Sequence, residues 1–130
     1  MEIYRAEAFG VRLGQAEYFT GEVWQEVMVP GGESGVWVLR VSFPPKARTA
    51  WHTHPLGQIL LVTSGRGYVQ KWGEARQAVA AGDVVRFEAG EKHWHGASSD
   101  SPMQHVAIQT AVAGSTADWL ELVSDAEYDG

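Results

Sequence analysis

The chain has 130 residues with 10 basic and 16 acidic side chains, a formal net charge of −6 and 45% apolar residues. That supplies one self-standing core and excludes disorder. The acidic balance, without any cluster of Lys or Arg, speaks against a nucleic-acid or membrane partner and for a small-molecule substrate, while zero cysteines exclude disulfides, thiolate catalysis and thiolate metal sites. In chain order, residues 1–20 read as an N-terminal arm, 21–112 as an all-β barrel and 115–128 as a helical segment, all within one domain over 1–130. Residues 1–10 lack the apolar stretch of a signal peptide, and no apolar run is long enough to span a bilayer, so the expected location is cytoplasmic.

In the arm, the largely apolar Ile3, Tyr4, Phe9, Val11 and Leu13 offer a surface that could pair with a neighbouring copy's sheet, so a homo-oligomer is expected. Fifteen glycines punctuate short apolar runs, which predicts strands over 21–29, 36–43, 49–55, 58–64, 67–72, 84–88, 92–96 and 103–110. In the second of these, Trp37, Leu39, Val41 and Phe43 alternate with Val36, Val38, Arg40 and Ser42, and Pro44-Pro45 ends the ladder. Turns are expected at Ser64-Gly65-Arg66-Gly67 and Ala81-Gly82-Asp83. Strands of this number and length fit a jelly roll. The one helix is predicted to start at Ser115, where Ser-Thr-Ala-Asp fits a capping box, with Trp119, Leu120 and Val123 as a stripe packed on the outside of the barrel.

All five histidines fall in three strand-like segments: His52 and His54, His93 and His95, and His105. Residues i and i+2 of a strand share a face, so His-Thr-His and His-Trp-His each set two imidazoles side by side. Two such pairs facing one another inside a barrel would enclose a polar site. Trp51 and Trp94 alternate with the histidines and therefore point away from it, into core packing or a contact between copies.

The flanking residues carry a resemblance. Ala47 to Gln58 contains Trp-His-Thr-His-Pro-Leu-Gly-Gln, and Gly90 to Gly96 reads Gly-Glu-Lys-His-Trp-His-Gly. This resembles the cupin superfamily. In that family's first motif a glycine precedes His-x-His by five residues, and a glutamate and then a second glycine follow. His52, His54, Gln58 and Gly65 match the spacing, with Gln58 in place of the glutamate and Lys46 in place of the leading glycine. Gly82, Gly90 and His93 match the second motif, with Glu88 where proline is usual. More narrowly, these segments and His105-Val-Ala-Ile-Gln109 resemble the small bacterial cupins that act as manganese-dependent (R)-selective hydroxynitrile lyases. The resemblance implies a single-domain cupin jelly-roll barrel with a short C-terminal helix, a homodimer or tetramer, and Mn2+ in the site.

On that pattern the metal ligands are His52, His54, Gln58 and His93: three imidazoles and one amide oxygen, with no anionic ligand. Nitrogen and oxygen donors without sulfur also suit Fe2+, Co2+, Ni2+ or Zn2+. With no carboxylate in the set, a divalent ion would act as a strong Lewis acid. His95 and His105 are further ligands, proton-transfer groups or hydrogen-bonded interior residues; the family pattern takes only the first histidine of the second segment as a ligand, and in the lyase reading His95 is the general base and His105 helps to protonate departing cyanide. Thr49 and Gln109 orient substrate or water in this reading, although Thr49 also suits a strand for its β-branched shape alone. Val41, Phe43, Leu61, Val38 and Trp37 are candidates for an apolar wall. Three functions follow: a hydroxynitrile lyase, a cupin dioxygenase of the quercetinase or diketone-cleaving type, and a non-catalytic small-ligand binder. Histidines beyond a ligand set favour an enzyme.

Overall fold

The computed structural model describes all residues 1–130. Its strands are β1 (Gly10–Leu13), β2 (Phe19–Thr20), β3 (Trp24–Val29), β4 (Val36–Phe43), β5 (Arg48–Thr49), β6 (His52–Thr53), β7 (Gln58–Lys71), β8 (Gln77–Ala80), β9 (Val84–Phe87), β10 (His93–Ala97), β11 (Met103–Thr110) and β12 (Asp118–Trp119), followed by helix α1 (Asp125–Asp129). All strand pairings are antiparallel. One sheet runs β1-β3-β4-β11 and continues through the first half of β7 to β9. The second is built on β10, which lies between the other half of β7 and the short β5 and β6.

β7 belongs to both sheets. The turn expected at residues 64–67 does not form; the chain continues as one 14-residue strand that bends at Gly65. Gly65 has φ 75°, and a Cβ there would collide with the Pro102 carbonyl, so only glycine allows the strand to pass from one sheet to the other. Within the N-terminal arm, β1 forms an edge strand on β3 of its own chain, with all four residues exposed. β2 and β8 are too short and too polar to be marked by alternation.

Period-2 patterning holds where a strand has one wet face. On β11, Met103, His105, Ala107 and Gln109 are buried while their neighbours are half-buried. On β4, Leu39, Val41 and Phe43 point inward. They join Phe19, Val23, Val62, Ala97 and Met103 in the main core between the sheets, where each large apolar side chain contributes about 1.5–3 kcal/mol by its burial.

The C-terminal segment departs from expectation. No helix starts at Ser115: Asp118 and Trp119 pair with Thr53 and His52, Leu120 N–H donates to Trp51 O, and Trp51 N–H donates to Glu121 O. The capping box sits nine residues further on, where the Ser124 hydroxyl accepts from Glu127 N–H and the Glu127 carboxylate accepts from Ser124 N–H. Tyr128 of the short helix and Val123 just before it pack against Trp51 and Trp94, the packing role inferred for the two tryptophans. Buried Arg48 clamps it by donating to Val123 O (2.8 Å) and to the Asp125 carboxylate (2.9 Å). No helix is long and apolar enough to cross a membrane.

Candidate metal centre

His52 lies directly opposite His93 in the β6–β10 pairing. The two His-x-His pairs therefore meet across one hydrogen-bonded rung. Ring centroids are 4.3 Å apart for His52 and His93, 5.0 Å for His52 and His54, and 5.3 Å for His54 and His93. β5 reaches the other end of β10 because Gly96 has no side chain; a Cβ there would stand 2.5 Å from Ala47 O and Arg48 Cβ.

Three of the imidazoles are fixed in the same way. His52 Nδ1 donates to Ala50 O (2.9 Å), His54 Nδ1 to Thr116 O (2.7 Å) and His93 Nδ1 to Glu91 O (2.7 Å). A carbonyl can only accept, so Nδ1 carries the proton, and in the neutral ring Nε2 presents a bare lone pair. This is the arrangement in which backbone groups orient histidine ligands of a metal. Burial keeps the rings neutral: it pushes His93 down to about 3 and lowers His54, and with the neighbouring imidazoles it holds His52 well below the ordinary value. His54 Nε2 is buried without a partner.

His95 and His105 are held differently. His105 Nε2 and His95 Nδ1 lie 3.0 Å apart, while His95 Nε2 and His105 Nδ1 have no partner. Burial, reinforced at His95 by the surrounding histidines, keeps His95 well below the usual imidazole range, and burial alone brings His105 to about 4. The Thr49 hydroxyl accepts from the His95 backbone N–H (3.2 Å). His52, His93 and His95 each offer a nitrogen, and these three atoms lie within 4.8 Å of one another. This tight group takes in His95 and not His54, whose ring centroid lies 5.0 Å from His52 and 5.3 Å from His93, so two of the three expected imidazole ligands fall in it and His95 joins them.

Gln58 and Gln109 complete the polar wall. Gln58 Nε2 donates to Gln109 Oε1 (2.9 Å), and Gln58 Oε1 faces His93 Nε2 at 3.2 Å. A cavity of about 270 Å³ opens from this cluster, lined also by Thr49, Trp37, Leu39, Val41, Ala107 and Trp119. Arg12 is its one charged lining residue, its Nε–H given to Gln25, and no carboxylate lines it. Of the expected apolar wall, Trp37 and Val41 line the cavity; Phe43 lies behind the histidines, 5.2 Å from the His105 ring. Val38 and Leu61 face the other side of the sheet. Trp119, expected on an outer helix face, stacks on Tyr18 at 4.7 Å and lies 4.6 Å from the His52 ring. No periodicity marks it, since β12 has only two residues.

Strands in two sheets around a cluster of histidines from β6, β10 and β11 define a cupin with a candidate metal centre. A family model described as the cupin domain matches residues 39–109. That is more than half of the chain, and the chain belongs to this family. Over 129 residues it is 45% identical to the (R)-mandelonitrile lyase of Granulicella tundricola, covering 98% of each chain. Among solved structures, a cupin-like protein from Thermotoga maritima matches with a TM-score of 0.83 and 40% identity over 89% of each chain. A polyketide cyclase from Streptomyces resistomycificus shares the fold alone, with a TM-score of 0.75 and 12% identity over 99% of this chain and 91% of that one.

Proposed function

We infer that this protein is a metal-dependent hydroxynitrile lyase, which splits a cyanohydrin into an aldehyde and hydrogen cyanide and runs the reverse addition. The observation that carries the reading is the pairing of two histidine types in one cavity. Three imidazoles have their lone pairs fixed by backbone carbonyls, and beside them sits a His95–His105 pair tied only to each other. The extensive likeness to an (R)-mandelonitrile lyase supports it.

The residues fit a divalent ion: His52, His54 and His93 supply Nε2 lone pairs, and Gln58 supplies its amide oxygen. Mn2+ is the ion we assign, and when bound it supplies Lewis acidity that lowers the pKa of a substrate hydroxyl. The protein's own groups handle the proton. In the tautomer that gives the Nδ1 proton to His105 Nε2, His95 has an unpartnered Nε2 to accept the hydroxyl proton. As the carbon–oxygen double bond forms, the carbon–cyanide bond breaks and cyanide leaves with the electron pair. The proton then passes through the His95–His105 pair to cyanide, giving HCN and leaving the pair neutral with its two tautomers exchanged, the state from which the reverse addition begins. The Thr49 hydroxyl, already accepting from the His95 backbone, keeps its own hydrogen for the substrate oxygen. Trp37, Leu39, Val41 and Trp119 give the substrate's aromatic or aliphatic group an apolar surface.

The test is cyanide release from mandelonitrile by Mn2+-loaded and metal-free protein, with and without oxygen. Faster release by the loaded protein, unchanged without oxygen, is the expected result, because heterolytic cleavage transfers no electrons to O2. Equal rates for loaded and metal-free protein reject the reading. Turnover only with O2 on a catechol-like or diketone substrate would mark an oxygenase instead.

A further inference from the structure

A glutamine ligand has a weakness that a glutamate does not. Its amide has two ends of nearly equal size and opposite polarity, and only the oxygen can bind a cation. Nothing within Gln58 itself selects the end that faces the histidines.

We propose that Gln109 is a positioning residue that fixes the Gln58 amide with its oxygen toward the metal centre. The selection starts at a backbone atom whose role is unambiguous. Trp37 O can only accept, so Gln109 must present Nε2 to it, at 3.3 Å. Gln109 Oε1 is thereby turned to Gln58, which must present its own Nε2, at 2.9 Å. Gln58 Oε1 is then left facing His93 Nε2 at 3.2 Å. Because His93 Nδ1 donates to Glu91 O, that nitrogen is a bare lone pair in the neutral ring. Two acceptors so placed repel one another unless a cation lies beside both. Gln58 and Gln109 are 6% and 7% exposed and both line the cavity, so in the metal-free protein a cavity water can stand between the two acceptors, and a bound cation takes its place.

The alternative orientation shows what Gln109 prevents. A flipped Gln58 would donate Nε2–H to His93 Nε2, a satisfactory hydrogen bond that consumes the lone pair a metal needs. With Gln109 in place, that flip sets the two glutamine oxygens against each other. Flipping Gln109 as well moves the conflict to Trp37 O. An acceptor–acceptor contact arises at one of these points in either case, whereas the observed orientation moves it to the place where a cation relieves it. β4 thus acts on the metal centre through β11 and the first residue of β7. The proposal rests on the metal reading above and extends it to a residue that need not touch the ion.

The experiment titrates the metal-free protein with Mn2+ alone, following free Mn2+ by electron paramagnetic resonance, in wild type, Gln109→Met, Gln58→Glu and the double variant. Gln109→Met should weaken Mn2+ binding about tenfold or more, the cost of one misdirected buried hydrogen bond. In the Gln58→Glu background the same change should cost less than about threefold, because a carboxylate presents oxygen at either end. Equal losses in the two backgrounds, or no loss in wild type, would overturn the proposal. A second measurement does not depend on metal. In metal-free wild type, the Gln58 side-chain amide protons should show nuclear Overhauser contacts to Gln109, and in Gln109→Met they should shift to the His93 ring. Amide contacts unchanged by Gln109→Met overturn the proposal even if metal affinity falls. If wild type binds no Mn2+ the metal reading fails on its own, and the amide contacts still decide the role of Gln109.

Discussion

His52, His54 and His93 each give their Nδ1 proton to a backbone carbonyl, whereas His95 and His105 are bonded to one another. A carbonyl cannot take up or return a proton, so the first group has a single neutral tautomer and a permanent lone pair. The second group has two equivalent ways to place its shared proton, and either ring can be the donor. One strand carries both types: His93 and His95 are two residues apart on β10, with centroids 5.8 Å apart. Strand periodicity gives them the same face. Their different chemistry comes from the partner each meets, a loop carbonyl for one and β11 for the other.

The largest expected effect breaks this comparison at its first half. Replacing His93 by Ala removes one of the three fixed lone pairs, and elemental analysis should find the metal lost or its affinity down at least a hundredfold. His95→Ala should retain the metal, while turnover of mandelonitrile falls by about a factor of 100 or more, as befits a general base. Loss of metal from His95→Ala would place its Nε2 in the ligand set, a result that its proximity to His52 and His93 makes geometrically accessible. The division between the two groups would then have to be redrawn with His105 alone on the proton-transfer side.

Acid provides a finer separation. Burial holds each of these imidazoles below the ordinary value of about 6.5, with His93 pushed down to about 3 and His105 to about 4. The unfolded chain therefore binds protons that the folded chain refuses. Stability is fully present above pH 6.5 and is lost as the pH falls below it, down to about 4 for His105 and about 3 for His93. Urea unfolding of the metal-free protein between pH 7 and 4.5 should show this slope. Mn2+ should flatten it, because a metal held by His52, His54 and His93 competes with protons for those three nitrogens but leaves His95 and His105 to titrate. An identical slope with and without Mn2+ would contradict the grouping.

The two halves of the site were not equally legible in the sequence. Two His-x-His pairs on strands require only the period of a strand to become one face each, and the sequence pattern also located Gln58 and the motif glycines. Lys46 is instructive: it stands where the motif has glycine, and its φ of 71° shows that the backbone keeps the glycine-like conformation without the residue. Contacts that depend on register between distant strands were not legible. Gln109 meets Gln58 because β11 pairs with β7, and Trp119 meets His52 because two residues after a loop pair with β6. Gly65 looked like a turn because a positive φ at a strand bend and at a hairpin call for the same residue. The helix was misplaced because Ser115 to Asp118 imitates a cap, whereas the box at Ser124 has the glutamate at its third position.

The smallest effect concerns what keeps His95 where β11 can reach it. Thr49 is buried, and its hydroxyl accepts the His95 backbone N–H at 3.2 Å, tying β5 to β10 beyond the single paired rung at Gly96 and Arg48. Thr49→Val keeps the branched shape and removes the acceptor, leaving one buried N–H without a partner at a cost of about 1–3 kcal/mol. The melting temperature of the metal-free protein should fall accordingly. Metal stoichiometry should not change, because His52, His54 and His93 are fixed by carbonyls that Thr49 does not touch. Turnover should fall by more than metal affinity does, since the loosened strand carries the proton-transfer histidine and the hydroxyl that faces the substrate is gone. If Thr49→Val lost metal and turnover in equal measure, the backbone-fixed and side-chain-fixed histidines would be mechanically one unit.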